Sequence, residues 1–286
     1  MSEQPRRREM SESSSGGRGR RSRRPWLLVA LLALVIIALI VGAVILWRSL
    51  GTNLSGTVTT SDSVDTGADP TVILTNTAGQ ISVEGGQDLR KVEFEATKHA
   101  LGKDPSTAKQ NAADVQVDIA REGGEVSLQT NGGRGSGADY VLRVPTGASV
   151  EVESEAGDVD VTGLNGAVSI AAEAGDVRVS KIKDSVRVEA PQGDVSISEI
   201  KTDTGQTELE IGSGDVDLEN LIVGTLEASV ESGDVIVAGR FSGNGRIFVG
   251  TGDITTRLPA EDARELTLEA NVGKVEREDP KSSEES

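Results

Sequence analysis

The chain has 286 residues, room for one large domain or two small ones, and no cysteine, which excludes disulfides, thiol catalysis and thiolate metal sites. Aromatic residues make up 2% of it and glycine supplies 34 positions, so any core is aliphatic, a composition that suits a thin stacked core rather than a rounded one. The net charge of -17 is uneven: residues 1–25 carry eight arginines against three acidic residues, and the other 261 residues carry -22.

Residues 1–25 are mainly Arg, Ser, Gly and Glu, and this polar, charged composition predicts disorder. Residues 27–46 then read LLVALLALVIIALIVGAVIL, with no polar side chain. As a helix this run is ~30 Å long, the thickness of a bilayer hydrocarbon core. Trp26 and Trp47 flank it, where an interfacial aromatic belt stands. The run is too long for a signal-peptide core and is closed by Trp47-Arg48, so residues 26–47 are expected to be an uncleaved transmembrane helix. Arg6, Arg7, Arg8, Arg18, Arg20, Arg21, Arg23 and Arg24 precede it and Arg48 alone follows closely. The positive-inside rule then puts the N-terminus in the cytoplasm and the rest outside. The expected partner of this segment is membrane lipid. A nucleic-acid arm is disfavoured because no aromatics interleave the arginines.

Residues 48–70 are polar and read as a flexible linker. From residue 71 onward, apolar residues alternate with the period of half-buried strands. TVILTN, QISVEG, KVEFEATK, VQVDIA, EVSLQT and YVLRVP are six such segments before residue 146. Between them, Asp104 as N-cap and Pro105 at the first helical position open a short helix through STAKQNAA, expected to cap one end of the fold. Residues 131–138, NGGRGSGA, read as a flexible loop.

The pairs Val150/Val152, Val159/Val161, Val168/Ile170, Val177/Val179, Val186/Val188 and Val195/Ile197 then recur every nine residues. The turns between them alternate. One kind contains Gly-Asp; the other carries an apolar residue three places past the pair, as at Leu164, Ile182, Ile200 and Leu221. The glycines Gly157, Gly175, Gly193, Gly214, Gly233 and Gly252 are spaced 18, 18, 21, 19 and 19 apart. Two strands per coil of ~18–20 residues predict an all-β fold, a parallel β-solenoid over residues 71–275 with coils ~4.8 Å apart. An antiparallel β-sandwich or meander is the alternative, but it does not require a buried Leu or Ile at every second turn. Residues 276–286 read as a disordered acidic tail.

FEATKHA near residue 94, DVQVDIAREGGEVSLQT at 114–130, YVLRVPTGASVEVESEAGDVDVTGL at 140–164 and the Gly-Asp-Val coils after it resemble a bacterial family of membrane-attached repeat domains known as putative adhesins. That resemblance implies a β-solenoid on the outer face of the cell membrane and brings no catalytic residues. The spacing slips at 212–221 and 240–258, where Phe241 and Leu258 shift by a residue, are departures from it.

Few residues suggest chemistry. His99 is the only histidine, no Walker-type loop exists, LPAED at 258–262 lacks the rest of a sorting signal, and Ala38 and Gly42 fit chance in an apolar span. The one constellation is a column of carboxylates: Asp158, Asp176, Asp194, Asp215, Asp234 and Asp253. Stacked ~4.8 Å apart they repel by ~1 kcal/mol per neighbour in water. Either a cation offsets this, or each carboxylate accepts local backbone N–H bonds as Asp does in turns. The second is the expectation, so neither a metal nor a cofactor is expected. The sequence therefore predicts a non-enzymatic, single-pass protein of the cell membrane that displays an acidic solenoid outside the cell. It would serve adhesion, envelope interaction or scaffolding, through a wall polymer or protein partner. The alternative is a β-helix enzyme acting on polysaccharide, disfavoured by the short turns and acidic outer face.

Overall fold

The computed structural model describes residues 54–133, 135–259 and 266–278. The expected N-terminal tail and the transmembrane helix at 26–47 lie outside these residues. No helix among the described residues is long and apolar enough to cross a membrane.

The regular part is built from short strands: β8 (Ser149–Ser154), β9 (Val159–Thr162), β10 (Val168–Ala172), β11 (Val177–Ser180), β12 (Val186–Gln192) and β13 (Val195–Ser198). Longer ones follow: β14 (Lys201–Ser213), β15 (Val216–Ser232), β16 (Val235–Phe241), β17 (Gly245–Thr251), β18 (Ile254–Arg257), β19 (Leu266–Val272) and β20 (Val275–Glu278). Every pairing among them is parallel. This rules out the antiparallel meander, because a parallel neighbour needs a full coil of chain in between. One face runs β8–β10–β12–β14–β15–β17–β19 and the other β9–β11–β13–β15–β16–β18–β20.

Residue alternation sets what fills the space between the faces. Val159, Val177, Val195, Val216, Val235 and Ile254 stack in register and are all buried. Leu164, Ile182, Ile200 and Leu221 are buried at one corner, as expected. The residue before each of them, Gly163, Lys181, Glu199 and Asn220, has a φ between 54° and 79°, the left-handed turn that swings the apolar side chain inward. The spacing slips do not break the stack. Register shifts between Thr202 and Gln206, and between Leu218 and Leu221, take up the extra residues as bulges.

Chain order and stack order part company before residue 149. The strands there are β1 (Leu54–Asp65), β2 (Thr71–Asn76), β3 (Ile81–Gly86) and β4 (Lys91–Gly102), then the helix α1 (Pro105–Asp114), then β5 (Gln116–Glu122), β6 (Glu125–Asn131) and β7 (Ser136–Pro145). β2 lies between β6 and β8, and β3 between β7 and β9, all parallel. The earliest coil in sequence is thus the second in space, and the coil of β6 and β7 sits outside it. Antiparallel strands finish this end: β5 on β6, β4 on β7 and β1 on β4.

Three expectations are corrected here. Residues 54–65, expected within the linker, form β1, paired with β4 along its length from Leu54↔Gly102 to Asp65↔Lys91. The loop at 131–138 is shorter, because Ser136 already begins β7; its N–H and hydroxyl both donate to the Gly133 carbonyl, at 3.1 and 2.6 Å. The tail begins later than residue 276, since β20 runs to Glu278 and pairs with β18. The helix is present with its expected cap: Asp104 accepts from Thr107 N at 2.9 Å. The Ser106 hydroxyl, with the Thr107 N–H and hydroxyl, holds the Asp104 carboxyl down to about 2. Yet α1 lies on β1 and β4, with Ala108 and Ala112 buried, and the antiparallel strands take the edges of the parallel coils. Its approach is so close that a Cβ at Gly56 or Gly102 would overlap its backbone.

The opposite end carries no such cap among the described residues. Val275 of β20 is 42% exposed, and Arg277 takes the inward position that Val179, Ile197, Leu218, Val237 and Thr256 hold below it. A charge at an inward position is a recognised guard on a sheet edge.

Candidate functional site

The Gly-Asp corner answers why that dipeptide recurs. Each glycine of the column has positive φ, from 119° at Gly157 to 152° at Gly214. Each also lies directly over the carbonyl of the glycine one coil below, where a Cβ would overlap that oxygen. The aspartates form a second column beside it. The backbone N–H of Asp176 donates to Oδ1 of Asp158 at 3.0 Å, and Asp194 to Asp176 at 3.2 Å. Asp215 donates to Asp194 at 2.9 Å, Asp234 to Asp215 at 2.8 Å and Asp253 to Asp234 at 2.8 Å. Lys274 N closes the series on Asp253 at 2.7 Å. At the other end Asp139 of β7 receives Gln80 N in the same way, at 2.9 Å.

All six predicted aspartates therefore share one corner, and each is bound to the coil above it. A hydrogen bond to a carboxylate contributes about 1.5–3 kcal/mol, of the same order as the repulsion between neighbours, ~1 kcal/mol in water and ~3–4 kcal/mol at an effective dielectric of 20. The column holds coil to coil, with a backbone N–H on each carboxylate. Among the described residues, no three His, Asp or Glu side chains stand close enough together to hold a metal ion. One ion pair touches the column, Arg178 to Asp176 Oδ2 at 3.1 Å. Replacing Asp176 and Asp194 together by Asn keeps both acceptors and removes two charges. The double variant should melt within a few degrees of the parent, and calcium should act no differently from sodium chloride of equal ionic strength. A calcium-specific rise in the parent that the variant loses would reassign the column as a metal site.

His99 lies on β4 with Nε2 3.9 Å from Asp139, whose Oδ1 is already engaged by Gln80. The buried hydroxyl of Tyr140 meets Thr130 at 2.7 Å, and burial pushes its phenol up.

The left-handed corner carries a feature that residue spacing did not bring forward. A cleft of about 1060 Å³ opens there, lined by Glu199, Lys201, Ile222, Arg240, Arg257 and Glu278 among others. Lys201, Ile222 and Arg240 are consecutive rungs of one column, and Lys183 precedes them, as Lys201 N bonds the Ile182 carbonyl. Arg257 donates Nε to Glu278 at 2.7 Å, and this bond raises the arginine further. The sequence signal was the likeness of Lys181-Ile182-Lys183 to Glu199-Ile200-Lys201; the bulges before Leu221 and Gln206 hid its continuation to Arg240.

Comparison with known proteins bears on the fold. The chain resembles a putative adhesin from Bacteroides fragilis, with 16% identity over 80% of this chain and 100% of that one and a TM-score of 0.52. A putative adhesin from Parabacteroides distasonis matches with 18% identity over 77% and 97%, at a TM-score of 0.40. At these identities the first likeness speaks for the fold alone. No curated protein matches the chain. The family model for the Toastrack domain, DUF4097, matches residues 81–286, the greater part of the sequence, and the chain belongs to that family.

Proposed function

We propose that this Toastrack domain is displayed outside the cell by a single membrane-spanning segment and acts as a non-enzymatic contact module. The observation that carries this reading is the use made of the repeats. Glycine and aspartate hold coil to coil, the aliphatic residues fill the interior, and what remains is a long ladder of exposed side chains. On the β8–β10–β12 face that ladder is acidic, with Glu151, Glu153, Glu189, Glu210 and Glu227 exposed. Among the described residues the turns are short and none stands over a face to wall off a polymer and exclude water, as polysaccharide cleavage requires. An array of equivalent positions suits many weak contacts made together, where avidity exceeds each affinity. The apolar run at 27–46 and the arginines before it support the anchor and its orientation.

Protease added to intact cells should remove the domain and spare the arginine-rich tail. A domain that survives in intact cells and is cut only after lysis overturns the orientation.

A further inference from the structure

The cleft at the left-handed corner departs from the rest of the domain in charge. Lys183, Lys201 and Arg240 are exposed and form no ion pair among the described residues, whereas Arg178, Arg187 and Arg257 are each paired with a carboxylate. Among the described residues of the lining Glu199 is the one unpaired acid, because Glu278 is taken by Arg257. Between the rungs of Lys201 and Arg240 lies Ile222, 39% exposed although its side chain is fully apolar. The cleft thus offers Lys201 and Arg240 two coils apart, about 10 Å, on either side of an apolar step, and Lys183 extends the row one coil beyond the cleft lining. Among the described residues no aromatic lines it, so they offer no platform for a sugar ring.

We propose that this cleft holds an extended phosphodiester chain of acyclic polyol units, laid along the corner with its phosphates on Lys183, Lys201 and Arg240 and its carbon backbone over Ile222. The proposal rests on the reading of the domain as an extracytoplasmic contact module and names the chemistry of its partner. A planar guanidinium and an ammonium are both strong phosphate donors. The acidic side chains of the β8–β10–β12 face repel a polyanion there, which favours this corner over that face. They equally disfavour the side-by-side packing of a second copy, whose Asp column is the other anion with matching spacing.

The test is lysine footprinting on the full chain. No lysine precedes Lys91, so the lysine readout does not report on the arginine-rich tail, which would itself bind a polyanion. With synthetic poly(glycerol phosphate) as probe, acetylation of Lys201 should slow several-fold and that of Lys183 with it. Lys109 and Lys274 should react at unchanged rates. Arg240→Gln should raise the polymer concentration for half-protection by about tenfold, the loss of one charge-assisted hydrogen bond, while Arg246→Gln on the open face should not. About 0.5 M salt should abolish protection. No protection, or equal protection of all lysines, overturns the site. Protection by vesicles of phosphatidylglycerol but not by the polymer overturns the polymer as ligand in favour of a lipid headgroup. Protection that grows with protein concentration alone assigns the cleft to a second copy. The footprint is read on purified chain, so it stands or falls independently of the protease result on cells.

Discussion

Gly193→Ala should unfold the middle of the stack. Gly193 has φ 136° and sits over the Gly175 carbonyl, so a methyl group there meets two objections at once. A side chain in that region of backbone space costs about 1–3 kcal/mol. The overlap with a backbone oxygen adds about 1–3 kcal/mol, because Gly175 is fixed by its own hydrogen bond to Gln192 and cannot retreat. The sum is a large share of the roughly 5–15 kcal/mol that holds a domain together. A drop in melting temperature of ten degrees or more is expected, with faster amide exchange centred on β11 and β13. Gly67→Ala is the control, since a Cβ there meets nothing within 4 Å. Equal melting of the two variants would show that the coils do not approach as closely at this corner as described.

Val177→Asp is the second large effect. Val177 is fully buried between Val159 below and Val195 above. Every neighbour in its column is aliphatic, so an aspartate has no partner, and burying an unpaired charge costs several kcal/mol even after its pKa rises to neutralise it. Val177→Ala leaves only a cavity and should cost ~1–3 kcal/mol. Arg178→Ala, on the outer side of the same strand, loses an exposed ion pair and should stay within ~0.5 kcal/mol. The order Asp, Ala, Arg178→Ala in falling damage is checked by chemical denaturation. Parity between the Asp and Ala variants would place Val177 on the surface.

The solenoid was legible because parallel, in-register stacking imposes one demand on every coil. A residue that must be glycine at Gly175 must be glycine at Gly193 and Gly214, and the eye finds the repeat. Bulges between Thr202 and Gln206 shift the count but not the columns, which is why Val216 still stacks on Val195. The N-terminal third was legible as strands but not as an arrangement. Alternation in TVILTN reports that one side of β2 is buried; it carries nothing about whether β6 or β8 lies beside it. β1 was missed for a different reason. LSGTVTTSDSVD has only Val58 and Val64 as apolar residues after Leu54, since an outer strand needs little burial once β4 satisfies its backbone. The role of the aspartates was half visible: a turn acceptor was foreseen, but its donor is one coil away and no local pattern encodes it.

The interleaving of the first coils bears on how the molecule can be made. β2 and β3 leave the ribosome before any of the strands that flank them in the stack. Thr162, which completes the inner neighbour, is 76 residues beyond Gly86. At ~5–20 residues per second that is roughly 4–15 s of synthesis. During that interval β2 and β3 can pair only with β6 and β7, and the edges that will meet β8 and β9 stay open. The stack therefore cannot wind up vectorially from its N-terminus as a simple helix of strands could. Its natural seed is the run from β8 to β13, where each coil finds its predecessor already in place, and the earliest residues made are then slotted between that seed and β6–β7. A chain halted just before residue 149 can pair only the coil of β2 and β3 with that of β6 and β7, and it exposes the edges meant for β8 and β9 until it is finished or destroyed.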